Sequence, residues 1–365
     1  MTFQPRKCLY PMSHLSFSRF LLPVLFLVAG WSQAAVPPEP VRPALRFLAK
    51  PDSSTTSQTE TAADGETYSI NLEPPAKIGQ VYGVSARGDW TQTTSIPRAA
   101  NKEKKTTTIQ IRVELEARVQ VTQVYPSGLP AVELYQVRRC EKFDDKGSHP
   151  VASAGSTILA TTREGQPYYE LDGRKVSPEI LQALRAVIPV RDPLEPPADQ
   201  VFGSDRPRAV GSTWGLRSTA LSEAWLKRGV RLSEEALSGY TRLDQLVDFA
   251  NTDCLELHCE VIYKNFVPSS TESFKVVQGS RRSSITVKVP QDGRTGPLER
   301  VTETQTQIGG RQHMPKPSEP PKPAEKKTEK KKDPKAEKPL ETTLYVDTLF
   351  RHRLRQVFQY TDLEP

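Results

Sequence analysis

Cys254, His258 and Cys259 form the densest group of chemically capable side chains in this 365-residue sequence, spaced Cys-x3-His-Cys. Thiolate and imidazole are ordinary zinc ligands, and cysteine beside histidine is also the pairing of a thiol nucleophile with its base. The surrounding residues 254–266, CLELHCEVIYKNF, alternate as a strand does, with Leu255, Leu257, Cys259 and Val261 on one face. Alternation sends Cys254 and His258 one way and Cys259 the other, so the three do not converge on one ion. Cys254 and His258 share a face, but four residues of flat strand span roughly 13 Å, too far for a direct bond. His149 and His352 would have to reach these cysteines from elsewhere in the fold. Gly83-Val84-Ser85-Ala86-Arg87 has arginine where the second glycine of a nucleophile elbow belongs. There is no Gly-rich phosphate loop, H-E-x-x-H or paired-carboxylate signature, and Glu114, Glu116 and Glu260 sit on polar strand faces where solvated charge is the default. The sequence therefore assigns no catalytic residue, no metal ligand and no cofactor.

The first residues read as an address. Arg6, Lys7 and Arg19 precede the apolar run from Phe20 to Trp31, no acid appears before Glu39, and Ser32-Gln33-Ala34 supplies small residues for cleavage after Ala34. The run is 12 residues long, short of the roughly 20 that a membrane-spanning helix needs. A signal peptide over 1–34 implies a periplasmic or extracellular protein. In that oxidising setting Cys259 is either a core residue or one half of a disulfide with Cys140.

The chain's net charge is +7, which would ordinarily raise nucleic acid as a partner. Residues 314–339 alone hold nine lysines against four glutamates and one aspartate, and the N-terminal region holds three more cations. Setting those two segments aside leaves the remainder neutral, so nucleic-acid binding is not expected. Residues 314–339 are Pro-, Lys- and Glu-rich and read as a disordered insertion. Its lysines could make weak contact with anionic lipid or wall polymer, at about 1 kcal/mol per charge near such a surface; a solvated insertion between two strands is the plainer reading. Residues 35–65, rich in Pro and then Ser/Thr, read as a flexible leader.

What remains, 66–365, reads as a single domain patterned in twos. From 108 to 122 the odd positions carry Ile109, Ile111, Val113, Leu115, Ala117, Val119 and Val121, while every even position is polar. A helix would mix those sets on one face and a strand separates them, so a long strand is expected, with a bulge near Gln123-Val124. Residues 131–143 should pair with it across Pro126-Ser127-Gly128, followed by strands at 156–163 and 167–176, the latter turning at Asp172-Gly173. Residues 254–266 follow a turn at Asn251-Thr252-Asp253, with 240–249 as partner, although Leu243, Leu246, Val247 and Ala250 also fit helical spacing. Leu344, Val346, Phe350, Leu354, Phe358 and Tyr360 read as a long closing strand. One main helix is signalled by Ser177-Pro178-Glu179, with the stripe Ile180, Leu181, Leu184, Val187, Ile188 and a stop at Pro189. Shorter helical turns are expected after Ser222 and Ser233, closed by Gly229 and Gly239. The expectation is an α+β, β-dominated fold: large curved antiparallel sheet with one main helix packed against it.

At Ala209-Val210-Gly211-Ser212-Thr213-Trp214 the chain resembles a family of uncharacterised exported bacterial β-rich proteins that carry a V-G-x-x-W turn-and-strand element at mid-domain. Lys77-Ile78-Gly79-Gln80-Val81-Tyr82 looks like the same element opening the first half, with Tyr82 in place of the tryptophan. The resemblance implies two similar halves, 66–205 and 206–365. The architecture is loosely similar to the curved-sheet lipoprotein carriers of the bacterial envelope, a likeness of fold that implies no activity by itself. The element also has a plain explanation, Gly211 making a turn and Trp214 anchoring core. The functional expectation is a non-enzymatic exported envelope protein that binds an apolar, lipid-like ligand or a protein partner. The alternatives are an exported hydrolase acting on wall or surface polymer, and a structural scaffold.

Overall fold

The computed structural model describes residues 66–97, 104–228, 232, 234–265, 274–313 and 343–360. The expected signal peptide, leader and Lys-rich insertion lie outside these residues. Among those described, no helix is long and apolar enough to cross a membrane.

The period-two segments form strands and pair antiparallel. In chain order they are β1 (Thr67–Tyr68), β2 (Val81–Pro97), β3 (Lys104–Val124), β4 (Pro130–Asp144), β5 (Gly147–Ala152), β6 (Thr157–Arg163), β7 (Gln166–Leu171) and β8 (Arg174–Lys175). After helices α1 (Pro178–Val187) and α2 (Ala198–Phe202) come β9 (Arg208–Ala209), β10 (Thr213–Gly215) and α3 (Ser218–Lys227). A short 3-10 turn, Glu234–Ala236, leads into β11 (Leu237–Phe249), β12 (Thr252–Tyr263), β13 (Phe274–Pro290), β14 (Glu299–His313) and β15 (Thr343–Tyr360). Thirteen of the strands make one open sheet, in the order β10-β11-β12-β13-β14-β15-β2-β3-β4-β6-β7-β8, with β5 also paired to β4. Two six-stranded runs are thus laid end to end, joined where β15 pairs with β2 from Asp347↔Ser95 to Tyr360↔Tyr82. The last strand expected from sequence is present but sits inside the sheet, with a neighbour on each side.

On β3 every odd residue from Ile111 to Val121 is buried, while Ile109 is partly exposed near the strand's start. Register shifts at Val121/Gln123 and Gln123/Val124 place irregularity where the alternation slips, and a third falls at Glu116/Ala117. Gly128 and Gly173 take the positive φ that their hairpins require. The stretch 240–249 is a strand, not a helix. A bulge between Leu243 and Gln245 turns Leu243 inward and leaves Leu246 exposed, which is why their spacing mimics a helix. The turn before β12 is centred on Ala250-Asn251, both at positive φ, slightly ahead of the expected place.

The helix α1 starts as its sequence dictates, Ser177 Oγ accepting from the Ile180 amide. The helix expected after Ser222 begins instead at Ser218, and Gly229 lies outside the described residues. Gly239 does not close a helical turn. It lies within β11, where a Cβ would stand 2.0 Å from the Glu260 carbonyl oxygen and 2.3 Å from the Leu216 side chain.

Two separate cores lie along the sheet. One packs Ala183, Leu184, Ala186 and Val187 of α1 onto Val113, Leu115, Val119, Ile158 and Tyr169. The other packs Leu72 and α2's Val201 and Phe202 onto Leu243, Leu255, Leu257 and Val261. The opposite sheet face carries exposed ion pairs such as Arg112–Asp89 at 2.8 Å and Arg353–Glu303 at 3.1 Å. Pairs so exposed contribute about 0–1 kcal/mol each and mark a solvated face.

The two V-G-type elements make matching contacts. Gly79 (φ 84°) donates its amide to the Val121 carbonyl and Gln80 accepts from the Val121 amide; Gly211 (φ 85°) donates to Leu243 and Ser212 accepts from Leu243. The Trp214 indole N–H donates to the Phe202 carbonyl at 2.9 Å, so this ring ties α2 to the sheet.

Candidate functional site

Where the second core runs toward the first, helices cover the face of β12–β15 only in part, and a cavity of about 340 Å³ opens there, lined by Val201 and Phe202 of α2 and Leu221 of α3 among others. Register explains its composition. Inward-facing residues of β13, β14 and β15 lie in rows: Ser283, Thr304 and His352; then Ile285, Thr302 and Leu354; then Val287, Arg300 and Gln356. On the flanks the equivalent positions are filled by Leu, Val and Tyr, whereas the central rows include the short side chains of Ser283, Thr302 and Thr304, which fill less of the space above the sheet. Val261 and Tyr263 of β12 and Leu221 of α3 form one wall. The roof is the chain between α1 and α2, with Pro189, Arg191, Glu195 and Pro196 facing the space. Prolines fix φ there and hold an otherwise irregular segment in place.

One end of the cavity is closed by charge. Glu73 pairs with Arg191, accepts the Ala198 amide at 2.9 Å, and lies 3.5 Å from Arg300. Burial pushes the Glu73 carboxyl up, but the two guanidiniums and the amide outweigh it and hold it below its ordinary value. Glu195 pairs with Arg191 at 2.9 Å. Nearby, Glu133 is buried and accepts from Tyr82 at 2.6 Å and Tyr135 at 3.0 Å. Burial dominates there, raising the Glu133 carboxyl.

At the other end, His352 donates from Nε2 to the Ala186 carbonyl at 2.9 Å, satisfying one of the orphan carbonyls at the end of α1. Burial, with Arg281 adding to it, lowers this imidazole's pKa, so it is a neutral group near pH 7. Gly88 of β2 sits beneath this junction, since a Cβ there would stand 2.0 Å from the same carbonyl oxygen.

Of the residues whose types and spacing suggested chemistry, Cys259 and His352 line the cavity and the others fall elsewhere. Cys140 belongs to the first core and Cys259 to the second, with β13, β14, β15, β2 and β3 between their strands, and both are thiols. A disulfide needs Cα atoms within about 7 Å, so the Cys140–Cys259 bridge is not formed. Cys259 is the core residue of the two alternatives. His258 Nδ1 lies 3.4 Å from Thr286 Oγ1, His149 stands by Asp144, and among the described residues no three His, Cys, Asp or Glu are grouped to hold a metal ion. Glu114 and Glu260 are in ion pairs with Arg139 and Arg282. The cavity residues Arg191, Arg281 and Arg300, and Glu73 behind two of them, belong to no motif. The signal they carry is a charged or short polar side chain at the inward phase of a strand, or in the Pro-rich connection.

Burial pushes both the Cys140 and Cys259 thiols up to about 12, which makes them poor nucleophiles. In a Cys8→Ser background, thiol titration should find Cys140 and Cys259 unreactive in the folded protein. Unfolding should expose three thiols, with or without reductant; a count of one without reductant would show a bridge.

No family model matches the chain, and no curated protein matches it. Among solved structures, comparison returns the CymD monoaromatic hydrocarbon channel, 8% identical, with 78% of this chain and 89% of that chain covered and a TM-score of 0.10. At that score no common fold is demonstrated, and nothing of the channel is carried over.

Proposed function

We propose that this protein is a non-enzymatic exported envelope protein that holds an apolar, lipid-like ligand between its sheet and the segment joining α1 to α2. The observation that supports this reading is the cavity of about 340 Å³ between two packed cores, walled by Val261, Tyr263, Ile285, Leu354 and Leu221 with a few polar groups set among them. Ligand sites typically occupy about 300–1,000 Å³ and are mostly apolar with a small number of placed polar groups. Export rests on the N-terminal charge, apolar run and small residues.

The hydrolase reading needs an acid and a base free to act at one place. Glu73 and Glu195 are both engaged by Arg191, and His352 is turned to a backbone carbonyl. A scaffold would have no use for an unfilled space, because voids in a core are destabilising.

Mass spectrometry of organic extracts from protein purified from its exported fraction tests the proposal. A stoichiometric apolar molecule, absent from a mock purification, is expected. Repeatedly empty extracts, together with no uptake of added amphiphiles, would overturn it.

A further inference from the structure

Charge is unevenly matched around the cavity. Arg191 is engaged by Glu73 and Glu195, and Arg300 lies by Glu73. Arg281 is different. Its Nε is buried without a hydrogen-bond partner, and among the described residues no carboxylate is paired with it. Its charge acts on Tyr263 and His352, both neutral near pH 7, while Glu195, which also acts on Tyr263, is paired with Arg191. A guanidinium never sheds its proton in practice, and leaving its Nε buried and unmet is unfavourable. Arg281 also stands one row beyond Ser283, Thr304 and His352, so hydroxyls and an imidazole border it on the cavity side. The paired cation Arg300 is at the far end. In register Arg300 lies opposite Val287, six residues along β13 from Arg281, which is about 20 Å of strand. Between them are Ile285 and Leu354, with Cys259 beside Ile285 and Val261 beside Ser283.

Resting on the ligand-binding reading above, we infer that the cavity takes a single-chain amphiphile with an anionic head. The carboxylate or phosphate sits against Arg281 with the Ser283 and Thr304 hydroxyls, and the chain runs past Ile285 and Leu354. A bound anion supplies the acceptor that Arg281 lacks, and a forked guanidinium suits the paired oxygens of either head. The end closed by Glu73, Glu195, Arg191 and Arg300 is internally neutralised and does not attract a second head.

The test uses the full chain and three probes sharing one tail: dodecanoate, dodecyl phosphate and dodecanol, titrated by calorimetry. The two anions should bind at least tenfold more tightly than the alcohol. Arg281→Gln should abolish that preference while leaving dodecanol affinity unchanged. Arg281→Lys, which keeps the charge but not the fork, should retain part of it. Arg353→Gln on the solvated face should behave as the parent. Preference for one anion over the other distinguishes a carboxylate from a phosphate head, and either supports the inference. Equal binding of all three probes, or a preference that survives Arg281→Gln, overturns the headgroup assignment while leaving the cavity proposal standing. Absence of binding by all three overturns both.

Discussion

Replacing Glu73 with alanine is expected to destabilise the protein by about 3–5 kcal/mol, the cost of leaving a buried guanidinium without its counter-charge. Glu73 holds the Arg191 side chain of the α1–α2 connection and lies by Arg300 of the sheet, and it accepts the amide that opens α2. Removing it strands Arg300, while Arg191 keeps Glu195. Urea unfolding should show a lower midpoint with unchanged slope. Glu303→Ala, which breaks an exposed pair with Arg353, should cost no more than about 1 kcal/mol. The effect has a pH signature. The folded Glu73 carboxyl lies below its ordinary value, so its contribution is full above the unfolded pKa and is lost as pH falls through the folded one. The gap between Glu73→Ala and the parent should therefore narrow in acid. A gap that is constant with pH would show that the ion pairs are not its source.

Gly88→Ala should cost roughly 2–4 kcal/mol, because a new methyl lands on the backbone of α1 and not on a movable side chain. With the Cβ 2.0 Å from the Ala186 oxygen, α1 has to lift, and the His352 hydrogen bond to that oxygen goes with it. The same measurement on Gly215→Ala supplies the contrast, since nothing lies near a Cβ there. Equal stabilities for the two variants would contradict the close approach of helix and sheet.

The sheet is legible in the sequence where one face of a strand is apolar and the other wet. Ile111 to Val121 of β3, the Asp172-Gly173 hairpin and the Ser177 cap all follow from local patterning that tertiary context does not overrule. Strand β14 leaves no such mark, and β13 shows it only from Ile285 to Val289, for a reason that bears on function. Ser283, Thr302 and Thr304 face inward where leucine or valine would have marked a buried side, so both faces look polar and the period-two signal fades. The residues that hide these strands are the ones that leave the cavity unfilled. Charge pairing is equally hidden, because Glu73, Arg191 and Arg300 meet only after more than a hundred residues of intervening chain are folded. The Cys140–Cys259 pairing fails for a related reason: parity along a strand says which face a thiol takes, but not how many strands separate it from another.

The central claim is that the space between the two cores is a binding site. Binding of the uncharged apolar fluorophore N-phenyl-1-naphthylamine should therefore be compared between the parent and Thr302→Trp. Thr302 sits in the middle row of the cavity, and tryptophan suits a strand while projecting into the open volume. The account predicts one saturable site in the parent, loss of that site in Thr302→Trp, and unfolding midpoints that stay close. Equal probe binding by both proteins would contradict it.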